Sequence, residues 1–192
     1  TISKGEWKLR IEKAVNIPLT YGGKAVFNIQ NVLPAVLAAY VQGVKVEELR
    51  EALATFVPSA AQTPGRLNLF QFKKFQVVVD YAHNPHGFEA LGKWLSKIPD
   101  SPKVGVIAGV GDRRDEDTVN LGRLSAQMFD EIIIRQDRNL RGKTDDEIIA
   151  LMVKGIKEVD PNKPYIIIKK EDEAIRHAIS TAKPGSFLTL CS

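Results

Sequence analysis

Val77-Val78-Val79-Asp80-Tyr81-Ala82-His83-Asn84-Pro85-His86-Gly87 is the stretch whose reading decides the fold. Three consecutive β-branched residues read as a strand buried on both faces, as in a parallel sheet. Asp80 stands where that strand leaves the sheet. Pro85 and Gly87 break the pattern, and from Phe88 onward Leu91, Trp94, Leu95 and Ile98 recur at helical spacing. Strand, polar turn and helix make the unit of open α/β sheets, whose ligands bind just beyond the carboxyl ends of the strands. The turn carries an acid, two imidazoles and an amide. Asp80, His83, Asn84 and His86 are therefore a candidate site before any further argument.

Downstream the same alternation repeats. Residues 104–108, 131–135, 165–168 and 187–191 are apolar runs of strand length, and helical patterns occupy the intervals between them. In one such interval Val119, Leu121, Leu124, Met128 and Phe129 share a helical face, and in the next Ile148, Ile149, Met152 and Ile156 do. Just upstream, residues 67–72 alternate and turn at Lys73-Lys74 into 75–80, which predicts an antiparallel hairpin at one edge. The expectation is an α/β, Rossmann-like, mostly parallel sheet of about six strands with helices on both faces and right-handed crossovers.

Further upstream the pattern stops. Residues 57–65 contain two prolines, a glycine and small polar residues without periodicity, the composition of a domain boundary, and Arg66 follows at once. Before it, Trp7, Leu9 and Ile11, then Val15, Ile17 and Leu19, alternate as half-exposed strands up to the turn at Tyr21-Gly22-Gly23. Ile29, Val32, Leu33, Val36, Leu37 and Tyr40 then form one helical face, with Asn28 at the N-cap position and Gly43 as the stop. Val46, Leu49, Leu53 and Phe56 mark a second helix. A hairpin and two helices have no way to close a sheet of their own. Residues 1–61 are accordingly read as the tail of a larger domain, and 62–192 as a complete one. The abrupt start, and the stop directly after an apolar strand, lead us to expect a fragment at both ends.

Composition excludes several classes. The 192 residues are 44% hydrophobic and 26% charged, ordinary for a globular protein with a sizeable core. A net charge of +4 with cations scattered among acids favours an anionic small ligand over nucleic acid. Cys191 is the single cysteine, which rules out a disulfide within the chain and suits a reducing compartment. The longest apolar run, 32–41, is too short to span a bilayer and contains Pro34. No membrane association and a cytoplasmic location are expected.

Two glycine motifs invite phosphate-binding readings, and both fail. Gly109-Val110-Gly111 follows a strand, yet the third glycine of a dinucleotide fingerprint would fall at Arg114. Gly142-Lys143-Thr144 resembles the end of a P-loop, yet the first glycine would fall at Asp137, whose carboxylate repels phosphate. Thr144 with Glu147 three residues on reads better as a capping box. Asp80, His83 and His86 have metal-like spacing, but Pro85 separates the imidazoles and no fourth ligand is near, so no metal site is assigned. His86 is read as a solvated turn histidine. Asp112, Asp115, Glu116 and Asp117 suit a helix N-terminus on charge alone. Arg135, Arg138 and Arg141 are either a solvated basic edge or, alternating with Asp137 and Asn139 after a central strand, part of a site.

Asp80-Tyr81-Ala82-His83-Asn84-Pro85 resembles the signature that opens the C-terminal domain of the Mur ligase family. Asn28 and Asn31 ahead of an alanine-rich helix resemble the end of that family's central ATPase domain, and Pro64-Gly65-Arg66 its interdomain hinge. The longer runs at 27–31, 58–66, 109–117 and 135–142 are most similar to a branch that attaches arginine to aspartate side chains of a polypeptide.

The resemblance implies an ATP-dependent amide ligase. ATP phosphorylates a carboxylate, an amine attacks the acyl phosphate, and phosphate leaves. It implies ATP with Mg2+, the Mg2+ ligands lying upstream, and arginine with an aspartate-containing acceptor polymer as partners. It leaves homo-oligomerisation open. By resemblance, Asn31 contacts adenine with Asn28 beside it. Arg66 lies near the terminal phosphate, Asp80 faces the ribose and phosphates, and His83 lines the same nucleotide site, making Arg66, Asp80 and His83 the catalytic set. Asp137 is expected to hold the guanidinium of arginine, with Asp112 or Asp115 as runner-up, and Arg138 and Arg141 to hold a carboxylate of the substrate or acceptor. A peptidoglycan or folylpolyglutamate ligase is the alternative within the family. A non-catalytic nucleotide- or amino-acid-binding module is the alternative outside it. The fragment alone is expected to be inactive, because no complete phosphate cradle lies within it.

Overall fold

The computed structural model describes residues 1–99, 101–111, 113–137 and 142–191. The chain divides into two compact units, Thr1–Ser59 and Ala60–Ser192.

In the first unit, β1 (Ile2–Lys4) and β2 (Trp7–Leu9) pair antiparallel around Gly5, whose φ of 59° suits the tight turn. The alternation at Val15, Ile17 and Leu19 does not make a strand. It forms two short 3₁₀ turns, Ala14–Asn16 and Pro18–Thr20. The reason is local: Pro18 opens the second turn, and the buried Thr20 hydroxyl lies 2.6 and 2.8 Å from the Ala14 and Ile17 carbonyls, satisfying a backbone that no strand pairs with. Helix α1 (Val26–Val41) and helix α2 (Val46–Thr55) follow, and Gly43 at φ 89° ends the first as expected. The N-cap of α1 is Ala25, not Asn28. Asn28 lies inside the first turn, and its amide donates to Leu19 O at 2.8 Å, tying the helix to the preceding turn. No residue of α1 is buried; Leu33, Leu37 and Val41 form an exposed apolar line along it.

Among the described residues the second unit contains ten elements: β3 (Asn68–Gln71), β4 (Gln76–Asp80), α3 (Pro85–Leu95), β5 (Lys103–Ile107), α4 (Asp115–Met128), β6 (Glu131–Ile134), α5 (Asp145–Val159), β7 (Tyr165–Ile167), α6 (Glu171–Thr181) and β8 (Phe187–Cys191). They build one six-stranded sheet in the order β3-β4-β8-β5-β6-β7. Only β3 is antiparallel to its neighbour, and β8 slots between β4 and β5. Right-handed crossovers place α3, α4 and α5 on one face, while α6, returning from the edge strand to the middle, covers the other. Side-chain alternation matches this. Val77, Val104, Val106, Ile133 and Leu188 pack with Ala174 and Ala178 of α6. On the opposite face Trp94 of α3 meets Phe187 edge-on, with ring centroids 5.8 Å apart, and the Phe129 ring fills the space that a side chain at Gly105 would need.

Helices α4 and α5 touch backbone to backbone. A Cβ at Gly122 would lie 2.1 Å from Met152 O, and one at Gly155 would lie 1.9 Å from Val119 O. Helix α5 starts with the expected capping box: Thr144 Oγ1 accepts from Glu147 N, and Glu147 Oε2 accepts from Thr144 N at 2.8 Å. Among the described residues no helix is long and apolar enough to cross a membrane.

Candidate active site at the carboxyl edge of the sheet

Asp80 is the last residue of β4, so the strand delivers its carboxylate to the carboxyl edge of the sheet. There it accepts a hydrogen bond from Leu67 N at 2.9 Å. Leu67 is buried and has a φ of 51°, a left-handed backbone that costs a non-glycine residue about 1–2 kcal/mol. A second clamp holds the same turn. The buried Asn68 accepts from Gly65 N at 2.8 Å and donates to Thr63 O at 2.9 Å, and Tyr81 N donates to Gly65 O at 2.7 Å. The turn is thus fixed from both sides, and Arg66 projects from it with its guanidinium 5.4 Å from the centre of the Tyr81 ring. Tyr81 in turn lies 4.8 Å from the His83 ring, and His83 Nδ1 is 2.8 Å from Tyr81 O. A carbonyl only accepts, so Nδ1 carries the proton. Asn84 caps α3 by accepting from Gly87 N at 2.8 Å, and Pro85 opens that helix.

Burial raises the Asp80 carboxyl above its ordinary range. The amides of Leu67 and Ala82, and then the charges of Arg66 and His83, pull it partly back. Asp80 also faces Cys191, its register partner on β8. Burial first, and the Asp80 charge second, push that thiol far up, so Cys191 is an inert thiol and no nucleophile.

Across the edge, β5 leads into Gly109, where a Cβ would stand 2.5 Å from Ile148 Cγ2; only a glycine lets this turn lie so close to α5. Asp115 and Asp117 at the start of α4 have cation partners. Arg114 grips Asp117 through two bonds of 2.9 Å, which lowers the Asp117 carboxyl, and Lys143 reaches Asp115 at 2.6 Å and Arg113 O at 2.7 Å. Lys143 therefore joins the turn after β5 to the turn after β6. Asp137 sits half-buried just after β6. Asp112, Arg138 and Arg141 lie outside the described residues. In the first unit, Asn31 is exposed on α1 and Asn28 holds Leu19. His86 is exposed.

Of the two readings left open for Arg135, the structure excludes one. Arg135 is not part of a solvated edge. Its side chain is buried, donates to Gln136 O at 3.0 Å and Cys191 O at 2.9 Å, and lies 3.7 Å from Glu171 Oε1. Its burial depends on a carbonyl 56 residues away, which leaves no local trace in sequence. Asn68 was also missed. It looks like one more polar position in an alternating strand, and its role shows only once the 63–67 turn folds against it.

The chain is 45% identical over 190 residues to cyanophycin synthetase of Trichormus variabilis, a match that spans 99% of this chain and 21% of that protein. It is 30% identical over 191 residues to the UDP-N-acetylmuramoyl-L-alanyl-D-glutamate–2,6-diaminopimelate ligase of Caldanaerobacter subterraneus, covering 99% of this chain and 38% of that one. The chain thus spans between about a fifth and two fifths of these relatives. Among solved structures, Escherichia coli FolC in complex with ADP superposes with a TM-score of 0.66 at 20% identity, over 84% of this chain and 35% of that one, a likeness of fold. Residues 65–192 match the glutamate ligase domain of Mur ligases, and the chain belongs to the Mur ligase family.

Proposed function

We propose that this chain is part of an ATP-dependent amide ligase that joins arginine to the side-chain carboxylate of aspartate in an acceptor polymer. In this reading, residues 1–61 end the ATPase domain and 62–192 form the C-terminal ligase domain. The exposed apolar line Leu33, Leu37 and Val41 supports the first part, because a face of that kind belongs against further protein. The observation that carries the reading is the joint fixation of Arg66 and Asp80 at the carboxyl edge through the Leu67 amide. Identity of 45% to cyanophycin synthetase across nearly the whole chain supports the choice of substrate.

The chemistry follows from charge. The γ-phosphoryl group of ATP passes to the acceptor carboxylate, releasing ADP and giving an acyl phosphate. The arginine α-amine attacks the acyl carbon, the C–O bond to phosphate breaks, and the amine proton is lost as the amide forms. Arg66 stabilises negative charge on the transferring group. Asp80 and His83 face the nucleotide, and Asn31 contacts the adenine with Asn28 beside it. Mg2+ accompanies ATP and neutralises its phosphates. Among the described residues no group of three or more His, Cys, Asp or Glu could hold a metal ion, so no residue here is assigned to it.

Asp137 meets the guanidinium of arginine, a planar fork that pairs best with a carboxylate. Asp115, which Lys143 meets at 2.6 Å, is the second candidate. Asp112, Arg138 and Arg141 complete the amino-acid side of the proposal. In the ligase carrying this chain, Asp137→Asn should raise the KM for arginine at least tenfold and leave that for ATP within twofold. Equal changes in both constants would remove Asp137 from the role. A diaminopimelate-adding peptidoglycan ligase is the second reading, supported by the 30% identity to that enzyme. A panel of amines separates the two: turnover with diaminopimelate and none with arginine would select it.

A further inference from the structure

We infer that Arg135 is a positioning residue: its buried guanidinium latches the strand-end segment that carries Asp137 to the nucleotide side of the same sheet edge. The inference rests on the amide-ligase reading above and adds a residue to it.

Arg135 is the first residue beyond β6 and is 5% exposed. Its backbone amide donates to Ile107 O and the next amide, Gln136 N, donates to Lys169 O, both at 2.9 Å, so the main chain keeps its sheet-like hydrogen bonds to Gln136. The side chain crosses the end of β5 and reaches Cys191 O of β8 at 2.9 Å. It also holds the carbonyl of the next residue, Gln136, at 3.0 Å. On the far side it lies 3.7 Å from Glu171 at the start of α6. Cys191 is the register partner of Asp80. Carried across β5, the register that pairs Asp80 with Cys191 reaches Ile134 on β6, so Arg135 stands one residue beyond that row at the carboxyl edge. From β4 to β6 that row spans three strand spacings, about 14 Å at ~4.8 Å each.

A buried guanidinium is a costly way to stabilise a fold. Desolvation of the charge is large, and well-packed apolar side chains often replace buried ion pairs without loss. Two of the partners here are backbone carbonyls, and the carboxylate stands at 3.7 Å, outside hydrogen-bond distance. What the arrangement does supply is direction. Gln136 is held on both sides, its amide by Lys169 O and its carbonyl by the Arg135 guanidinium, and the second of these ties the chain's heading one residue before Asp137 to the β8 end. Lys143 fixes the other end of the same loop through Asp115 and Arg113 O. Amine and acyl phosphate must meet in line, and a displacement of about 1 Å at such a site can cost on the order of a hundredfold in rate. A latch between the two halves of the edge meets that need.

The test uses the intact ligase that contains this chain, with Arg135→Met and Arg135→Lys. The expected result for R135M is a KM for the amine substrate raised about tenfold or more, with the KM for ATP within twofold. R135K, which keeps a donor for Cys191 O, should recover part of the loss. A merely structural residue would raise both constants in parallel with a loss of melting temperature and show no recovery in R135K. That result, or an unchanged amine KM, overturns the inference. If the wild-type protein shows no amine-dependent ATP hydrolysis, the ligase reading itself has failed, and hydrogen exchange then decides the latch. Faster exchange confined to residues 136–143 in R135M upholds it, and unchanged exchange there overturns it.

Discussion

Gly155 offers a sign test of how the second unit is built. In an exposed helix, replacing glycine by alanine stabilises by up to about 1 kcal/mol, because glycine loses more backbone entropy on folding. Helix propensity alone therefore predicts that Gly155→Ala strengthens α5. The contact with α4 predicts the opposite. The new Cβ would lie 1.9 Å from Val119 O and 2.9 Å from Val119 C, and both are backbone atoms that cannot rotate away. The shortfall against an ordinary 3.4 Å contact is about 1.5 Å, so the helices must part by most of that distance. A gap of about 0.5–1 Å already forfeits a quarter to a half of the dispersion attraction across an interface. Met152 and Ile156, both fully buried, would lose much of their packing. A loss of that kind resembles a large-to-small core change, about 2–5 kcal/mol, and outweighs the helix gain. We expect a net destabilisation of about 2–4 kcal/mol, or a fall in melting temperature of about 2–4 °C per kcal/mol. Urea unfolding of the 192-residue chain, followed by circular dichroism, measures it. Gly122→Ala should behave alike, since its Cβ would lie 2.1 Å from Met152 O, and the double mutant should cost less than the sum because the helices part only once. Gly92→Ala is the control: its Cβ meets only the flexible Met128 side chain, at 3.0 Å. A G155A protein as stable as the wild type, or more so, would refute the backbone contact between α4 and α5.

Asp80→Asn should stabilise the chain at pH 7 and lower ligation. Burial raises the folded-state carboxyl, so the stability that Asp80 permits is full below the unfolded pKa and is lost as pH rises through the folded one. The gain from D80N should accordingly grow from pH 4 to pH 7, and a gain that shrinks over that interval would contradict the burial argument. Arg66→Ala in the intact ligase should lower turnover on the order of a hundredfold, the usual cost of losing one charge-stabilising donor; a near-normal rate would exclude it from the reaction. Thr144→Ala removes the cap of α5 and should cost about 1 kcal/mol in urea unfolding, with no change in the slope of the transition.

The second unit was legible because its signals are local. Apolar runs at Val77, Val104 and Phe187 have strand length, the helices between them keep a 3.6-residue period, and Thr144 with Glu147 marks a helix start within four residues. The first unit misled where pattern depends on a partner. Val15, Ile17 and Leu19 alternate as a strand would, but no strand lies beside them, and Pro18 with Thr20 turns the backbone instead. Asn28 looks like an N-cap from composition, yet its amide reaches back to Leu19 O. Of the candidate site, Asp80 and His83 share one turn and group directly, whereas Arg66 joins them in sequence only through the family resemblance. Arg135 could not. Nothing near it signals burial, since its partners Cys191 and Glu171 arrive from other ends of the sheet.

The position of β8 also bears on how the chain acquires its structure during synthesis. The strand made after the other seven is the one that joins β4 to β5. Until residues 187–191 emerge, the β3–β4 hairpin and the β5–β6–β7 group have no ladder between them. Each then presents a bare, apolar edge where the finished sheet has its centre. Such edges recruit other strands readily, and late long-range pairing slows folding. The nascent second unit is thus most prone to mispairing just before it is complete, and loss of those five residues would leave two half-sheets with no ladder between them.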